Sequence, residues 1–318
     1  MPEPALADLR VLDLSRDIAG VYAAKLLADF GAGVIKVEPP EGDPVRRLGP
    51  FPGDLPDPEK AGLFLFLNTN KRSLTLDVST VSGQVVLRRL LAKADVLIED
   101  FAPGTMSAWG LGYDDLSAEF PGLVYASVTP FGQSGPYSSY GGNALTALAQ
   151  GGLMYVTGDA GGGPQAGVGD LALYQAGVQL WLGVLAALAY RDATGEGQQV
   201  DVSTAEAVAA GDEYSTALYA FAGAIVARAQ GLTPPFATEP TPKDLLESEH
   251  LRARGFFVGV EHPVAGFLRL PGPPFVMSET PGRAGRAPRR GEHNAEVLTA
   301  DAGYEVSDLT ILSDRGII

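Results

Sequence analysis

The sequence of 318 residues contains no cysteine and only three histidines, and both shortages exclude kinds of chemistry. Without cysteine there is no disulfide, thiolate metal site, iron–sulfur ligand or cysteine nucleophile. The histidines, His250, His262 and His293, are dispersed, and no two of them lie at helical spacing. We therefore expect no bound metal, and we expect His262, which precedes Pro263, to close a turn.

Positive charge is also scarce, with 23 Lys plus Arg against 38 Asp plus Glu and a net charge of -15 at pH 7. Such a chain repels polyanions unless its basic residues cluster on one face, so we expect no nucleic-acid partner. The first residues, MPEPALADLRVLDLS, have no basic segment followed by a long apolar run and do not resemble a signal peptide. Together with the lack of cysteine, this predicts a cytoplasmic protein.

Two common catalytic motifs are missing as well. No G-x-x-x-x-G-K-[ST] phosphate-binding loop occurs. The nearest match to the G-x-S-x-G motif of serine hydrolases, GQSGP at 132–136, lacks the last glycine, and no histidine precedes His250. A serine hydrolase triad is therefore not predicted.

The first half of the chain alternates β-branched runs with helical patterns, which is typical of a Rossmann-like α/β fold with a parallel sheet and flanking helices. Strands are predicted at 10–14, 34–37, 73–78, 96–99 and 123–128, with helices at 21–30 and 82–92, and a turn that runs into a further strand at 194–203. Ligands of such sheets bind beyond the carboxyl ends of the strands. We therefore expect the site in the loops at 15–20, 38–44, 100–105 and 129–136.

The second half begins with an apolar segment, 171–190, which has no charged residue. It is long enough to span a bilayer, but Gln175, Gln179 and several glycines dilute it, so we favour a central helix that is buried on all sides. Four prolines at 231–242 predict a linker. A short helix at 243–254 and strands at 255–260 and 267–270 are predicted after it.

Asp170 stands directly before the apolar segment and directly after Gly169. Its carboxylate could cap the helix by accepting a backbone N–H, favoured by the helix dipole. An ionised carboxylate beside glycines could instead be a nucleophile toward an activated acyl group, with neighbouring N–H groups stabilising the oxyanion. The residues alone leave both interpretations open.

A third interpretation concerns nucleotide binding. Gly167, Gly169 and Ala172 satisfy the pattern G-x-G-x-x-A, and Asp192 follows. This fingerprint should follow a strand directly, yet DAGGGP at 159–164 intervenes after the strand-like segment 153–157, and Asp170 would repel a pyrophosphate. A nicotinamide-linked oxidoreductase, which would bind NAD(P) and not CoA, stays the alternative from another class of enzyme.

Several segments in order resemble the family III CoA-transferases, the group that contains formyl-CoA transferase and carnitine CoA-transferase. The matching segments are RVLDLSRDIAG, LLADFGAGVIKVEPPEGDPVR, NTNKRSLTLD, ADVLIEDFAPGTM, GLVYASVTPFGQSGPY, the GD before the apolar segment, LAALAYRDATGEGQQVDVS, HLRARGFF, HPVAG, LPGPP and GEHN. The resemblance implies transfer of CoA from an acyl-CoA to a carboxylic acid through an aspartyl-CoA thioester on Asp170.

The resemblance also implies which residues contact coenzyme A. These positions are Asp17, Ile18, Ala19, Leu76, Asp77, Ser79, Asp100, Phe101 and Ala102. Lys71 and Arg72 are the nearest basic residues, and Arg72 is a hypothetical phosphate contact. Pro39 stands where family members often have arginine after the VIKVE glutamate, and Ala108 lies near another usually basic position, which implies rearranged phosphate binding.

A further departure is that the chain is short, because Arg228 leads quickly to TPKDLLESEHLRARGFF where the family has a small domain. We expect a large CoA-binding domain (1–228), a reduced small α+β domain with a linker (229–280) and a C-terminal return to the large domain (281–318). The family's interlocked dimers imply a homodimer or a heterodimer with a paralogue.

Two alternatives stay open within this resemblance. One is a non-catalytic CoA-binding subunit of a hetero-oligomeric transferase. The other is an enzyme like α-methylacyl-CoA racemase, which needs a histidine paired with the aspartate. The region 137–147, which would supply that base, contains no histidine, so we favour transfer.

Overall fold

The computed structural model describes residues 3–157, 163–167, 169–211 and 242–318. Its centre is a parallel sheet of six strands in the order β3-β2-β1-β4-β5-β6. The strands are β1 (Arg10–Asp13), β2 (Gly33–Glu38), β3 (Arg72–Thr75), β4 (Val96–Glu99), β5 (Val124–Thr129) and β6 (Gln199–Ser203). The predicted Rossmann-like α/β class is confirmed, and the strand order reverses between β1 and β4.

Helices connect and cover these strands. They are α1 (Ile18–Asp29), α2 (Gly62–Leu67), α3 (Val81–Leu91), α4 (Thr105–Ala108), α5 (Tyr113–Glu119), α6 (Ala144–Gln150), α7 (Leu153–Val156), α8 (Leu171–Thr194), α9 (Thr204–Gly211), α10 (Pro242–Glu247), α11 (Glu249–Ala253), α12 (Asn294–Glu296) and α13 (Val306–Asp314). A π-helical turn, Val297–Asp301, follows α12.

Two apolar cores lie on the two faces of the sheet. On one face, α1, α2 and α8 cover strand residues such as Val11 and Ile98. On the other, α3 and the C-terminal residues, including Leu298 and Ile317, cover strand residues such as Leu97. Complete burial of such a side chain contributes about 1.5–3 kcal/mol, so the near-continuous apolar strands explain why both faces are covered.

The apolar helix α8 packs one side against α1, β5 and β6. Its length and composition would allow it to cross a membrane. Its other side is open in this chain, where Leu171, Leu182 and Tyr190 are each about half exposed. The expectation of burial on all sides is therefore wrong, because a helix at the surface of a sheet covers its strands with only one face.

Three further elements differ from the predicted ones. β3 ends at Thr75, before the predicted boundary, and Thr80 caps α3 by accepting the N–H of Gly83. The strand-like segment 153–157 is the helical turn α7. The single helix predicted at 243–254 is two helices, because the Ser248 hydroxyl accepts the N–H of Leu251 and starts α11.

A small antiparallel sheet follows, formed by β7 (Phe257–His262) and β8 (Gly266–Pro271). The predicted turn at His262 is confirmed, since its Nδ1 accepts the N–H groups of Val264 and Ala265 at 3.3 and 3.1 Å. The predicted boundary between 228 and 229, and 231–241 of the predicted linker, lie outside the described residues.

The C-terminal residues lie against the large sheet. Arg283 donates its N–H to the carbonyl of Asp29, and Asn70 donates to the carbonyl of Arg286. Near the end of the chain, Ile317 accepts the N–H of Asp77. These contacts join 283–317 to the elements that carry the candidate site.

Candidate functional site

The reversal of strand order creates a cleft at the carboxyl edge of the sheet, where ligands of such folds bind. The cleft has a volume of about 360 Å³. Its lining residues are Asp17, Ala19, Asp100, Val128, Thr129, Pro130, Gly142, Asn143, Leu173 and Thr204. Three positions predicted to contact CoA, Asp17, Ala19 and Asp100, thus meet in one cleft beside the first turn of α8.

Two loops of the cleft are joined by one carboxyl group. Asp100 follows β4, and its side chain accepts the N–H of Arg16 at 2.8 Å and that of Asp17 at 2.7 Å. Asp17 in turn caps α1 by accepting the N–H of Ile18 at 2.8 Å. The side chain of Asp100 therefore fixes the turn after β1 and the start of α1.

Asp170 occupies the N-cap position of α8 and is exposed. Its carbonyl accepts the N–H groups of Leu173 and Tyr174 at 2.9 and 3.1 Å. Its carboxylate makes no capping hydrogen bond, which differs from the capping interpretation. Among the described residues, the carboxylate has no hydrogen-bond or ion-pair partner. It lies at the positive end of the helix dipole, and Leu173, one turn on, lines the cleft.

The electrostatics also place Asp170 beside the cleft. Burial raises the pKa of Asp17, and the negative charges of Asp170 and Asp43 raise it further. Burial likewise raises the pKa of the Tyr174 phenol, again with a contribution from Asp170. The charge of Asp170 therefore contributes to the raised pKa of Asp17, which lines the cleft, and of Tyr174, one turn along α8.

Asp100 is the most strongly shifted carboxyl of this cleft. Burial raises its pKa to about 8, and the charge of Asp17 adds to the shift, whereas Lys36 and the two N–H donors oppose it. This shift favours the protonated carboxyl near neutral pH. A protonated Asp100 carries no charge, so the cleft repels an anionic ligand less than its two lining aspartates suggest.

The remaining predicted positions at this edge lie on either side of the cleft. Leu76 is buried after β3 and donates its N–H to the carbonyl of Glu38 at 2.7 Å. Asp77 accepts the N–H and hydroxyl of Ser79 at 3.0 and 2.6 Å. Because β2 lies between β3 and β1, these residues share the edge of the sheet but do not line the cleft.

Arg72 and Lys71 are not brought to the cleft. Arg72 begins β3, at the opposite edge of the sheet, and pairs with Glu296 and Asp301 at 2.9 and 3.0 Å. Lys71 is buried and pairs with Asp13 at 2.8 Å. Both cations have carboxylate partners within the protein.

Arg16, which was not among the predicted contacts, lies at the predicted CoA loop. Its guanidinium lies 4.8 Å from the centre of the Phe101 ring. In the described part of the chain, Arg16 pairs with no carboxylate. Its position in the loop 15–20, beyond the first strand, was the signal that could have identified it.

A buried network of charges supports the strands beneath the cleft. Lys36 pairs with Asp43 at 2.7 Å and donates to the carbonyl of Ser15, while Asp13 lies between Lys36 and Lys71. The same interior pairing lowers the pKa of Asp13 despite its burial. These contacts hold the carboxyl ends of β1 and β2 in place.

A larger cavity, of about 730 Å³, lies between α11 and the segment 273–284. One of its lining residues, Phe275, contacts Trp181 with ring centres 5.8 Å apart. Trp181 lies about 16 Å along α8 from Asp170 at 1.5 Å per residue. Because no predicted site residue lines this cavity, the cleft is the better candidate for the chemistry.

Comparisons of the sequence with known proteins identify its family. The model of CoA-transferase family III matches residues 6–238 and 221–294. A succinyl-CoA–D-citramalate CoA-transferase of Chloroflexus aurantiacus is 30% identical over 410 aligned positions, which cover 100% of this chain and 99% of the relative. The alignment is longer than this chain, so parts of the relative have no counterpart here.

A succinyl-CoA:mesaconate CoA-transferase of Haloarcula hispanica is 42% identical over 208 residues. This match covers 63% of the chain and 51% of the relative, so the chain spans about half the length of this relative. A further relative, with 50% of its length covered, is the beta subunit of a succinyl-CoA–L-malate CoA-transferase of Chloroflexus aurantiacus.

Solved structures share the fold. A CaiB/BaiF family protein from Brucella suis superimposes with a TM-score of 0.85 at 24% identity, over 94% of this chain and 99% of that chain. Rv3272 from Mycobacterium tuberculosis, in an orthorhombic form, gives 0.79 at 24% identity, over 93% and 99%. The strands and helices described above therefore form the CaiB/BaiF fold.

Proposed function

Because this chain belongs to family III of the CoA-transferases, we propose that it moves CoA from an acyl-CoA donor to a carboxylic acid, with Asp170 as the nucleophile. The observation that supports this proposal best is the uncapped carboxylate of Asp170 at the start of α8, beside the cleft. An ionised carboxylate in that place can attack a thioester.

The reaction would proceed in four substitutions. The Asp170 carboxylate attacks the carbonyl of the donor thioester, which forms a mixed anhydride and releases the CoA thiolate. The thiolate attacks the aspartyl carbonyl, which forms an aspartyl-CoA thioester and releases the donor acid. The acceptor carboxylate attacks this thioester, and the thiolate it releases attacks the new acyl carbonyl, which restores Asp170 and yields the acceptor's CoA ester.

Each substitution passes through an oxyanion, which backbone N–H groups and the positive end of the α8 dipole can stabilise. The turn after β1, the residues after β3 and the loop after β4 would contact CoA mainly through main-chain groups. Arg16 would supply positive charge there. Arg16 thus takes the place of Arg72 as the proposed basic contact, because the guanidinium of Arg72 pairs with Glu296 and Asp301.

The donor to test first is succinyl-CoA, since the named relatives use it. A small dicarboxylic acid is the corresponding acceptor. We propose a cytoplasmic protein that acts as a homodimer or as a heterodimer with a paralogue. Relatives named as alpha and beta subunits favour a second candidate, a CoA-binding subunit without catalysis of its own.

An exchange assay tests the proposal and separates these candidates. The purified protein is incubated with succinyl-CoA and isotopically labelled succinate, and labelled succinyl-CoA is measured. A transferase forms labelled succinyl-CoA, and Asp170→Asn should form none. Asp192→Asn, at the far end of α8, should form it as wild type does. CoA binding without exchange would contradict the transferase and favour the non-catalytic subunit.

A further inference from the structure

The last residue of β4, Glu99, has a buried side chain beside the predicted CoA loop. Its Oε2 accepts the N–H of Phe101 at 2.8 Å, and its Oε1 accepts the hydroxyl of Tyr125 at 3.4 Å. Among the described residues, no lysine or arginine pairs with it. Glu99 is therefore a buried carboxyl whose partners are a backbone amide and a phenol.

Glu99 faces a polar cavity beneath the loop. The cavity, of about 290 Å³, is also lined by Ala102, Tyr113 of α5 and Gln133. Across the sheet, Glu99 stands opposite Ser127 of β5, which stands opposite Asp201 of β6. The titratable groups around Glu99 are thus Tyr113, Tyr125 and Asp201, together with its chain neighbour Asp100, whose pKa of about 8 is higher.

Phe101, which this contact holds, lies where the loop after β4 meets the turn after β1. The Phe101 ring packs against Trp109 with centres 5.3 Å apart, and Arg16 lies over the same ring at 4.8 Å. The neighbouring Asp100 holds the N–H groups of Arg16 and Asp17. A shift of the Phe101 amide would therefore disturb both loops.

We propose that Glu99 is a positioning residue that holds Phe101 and Ala102 where CoA meets them, acting through its hydrogen bond to the Phe101 amide. This inference rests on the proposed function, because it assigns a role in the same site. Glu99 itself touches no reacting atom, since its carboxyl lies below the loop.

Protonation of Glu99 would regulate this contact. Burial raises its pKa to about 7, and the charge of Asp201 adds to the shift, whereas the hydrogen bonds from Phe101 and Tyr125 oppose it. An ionised carboxyl accepts an N–H more strongly than a neutral one. The loop is then held more firmly above pH 7, and the KM for acyl-CoA falls as the pH rises from 6 to 7.5.

Trp109 provides a readout of the loop that does not depend on turnover. The chain has two tryptophans, so Trp181→Phe leaves Trp109 as the single reporter. In this background we expect a fluorescence transition with a midpoint near pH 7. Glu99→Gln should abolish it, Asp201→Asn should lower its midpoint by removing a negative charge, and Asp114→Asn, on the surface of α5, should leave it unchanged.

The kinetic test uses the same variants. In Glu99→Gln, KM should stay near its low-pH value across the range, about fivefold above wild type at pH 7.5, with kcat unchanged. A fluorescence transition that is absent from the background protein or persists in Glu99→Gln, or a KM that still varies with pH in that variant, would overturn the proposal. A wild type that transfers no CoA would instead contradict the proposed function, and the fluorescence titration would still decide the role of Glu99.

Discussion

The carboxyl group of Asp100 accepts the backbone N–H of Asp17 at 2.7 Å, and this bond joins the ends of the two strands between which the strand order reverses. The cleft of the candidate site opens at this junction. Its shape therefore depends on a side chain whose pKa is raised to about 8.

The first prediction concerns the pH dependence of stability. The folded pKa of Asp100 lies above its ordinary value of 3.8, so the folded protein binds more protons than the unfolded chain between about pH 4 and pH 8. This carboxyl therefore contributes stability at low pH that is lost as the pH rises through about 8. Asp100→Asn removes this titration. The free energy of unfolding of the variant, relative to that of wild type, should therefore increase as the pH rises from 5 to 8.

Urea unfolding of both proteins at several pH values measures this difference. The difference between wild type and variant isolates Asp100 from other titrating groups. A constant difference across the range would show that Asp100 has the same proton affinity in both states.

The second prediction concerns the approach of α1 and α8. A methyl group on Gly177 would lie 2.7 Å from the carbonyl oxygen of Ala19, which is backbone and cannot rotate away. Gly177→Ala should lower the free energy of unfolding by about 1–3 kcal/mol and should reduce transfer activity, because it separates Ala19 from the helix that Asp170 begins.

The matched control is Gly141→Ala, where an added methyl meets no atom within 4 Å. Denaturation and the exchange assay are measured on both variants. Equal behaviour of the two would mean that the contact between α1 and α8 is looser than described.

The third prediction separates structural from binding roles for Arg72. Because its guanidinium pairs with Glu296 and Asp301, Arg72→Gln should destabilise the C-terminal segment by up to about 1 kcal/mol and leave the KM for acyl-CoA unchanged. Thermal unfolding and steady-state kinetics check both parts. A tenfold rise in KM at unchanged stability would favour the phosphate contact that the sequence suggested.

The fourth prediction concerns the buried charges under the cleft. Asp13→Asn removes the carboxylate between Lys36 and Lys71, whose side chains are fully buried. Loss of one partner from such a cluster typically costs about 3–5 kcal/mol. Urea unfolding should show this loss, whereas Asp57→Asn, at the partly exposed pair with Lys60, should change stability little. Equal effects of the two substitutions would contradict the network.

The sequence predicted the parallel sheet and the edge that carries the site, because buried strands and amphipathic helices leave local periodic patterns. It also predicted the turn at His262, since a histidine before proline acts on its immediate neighbours. The placement of Arg72 could not be predicted in this way. Its carboxylate partners, Glu296 and Asp301, are more than 200 residues away in sequence, and no local pattern records that contact.

Two further features could not be predicted from the sequence. One is which side of α8 is exposed, and the other is that the Asp170 carboxylate makes no capping hydrogen bond. An aspartate at an N-cap position favours a capping bond, and only the side-chain rotamer shows that none forms here. The shift at Asp100 arises from burial between two loops that the sequence places 83 residues apart. Such effects depend on tertiary packing rather than on local propensity.

The most direct test of the central claim is covalent trapping at Asp170. The protein is incubated with succinyl-CoA, treated with hydroxylamine or borohydride, digested and analysed by peptide mass spectrometry. We expect a modified Asp170, with the unmodified residue in samples that lack the CoA ester. Turnover of succinyl-CoA and succinate with Asp170 unmodified, or with the modification on another carboxylate, would contradict it.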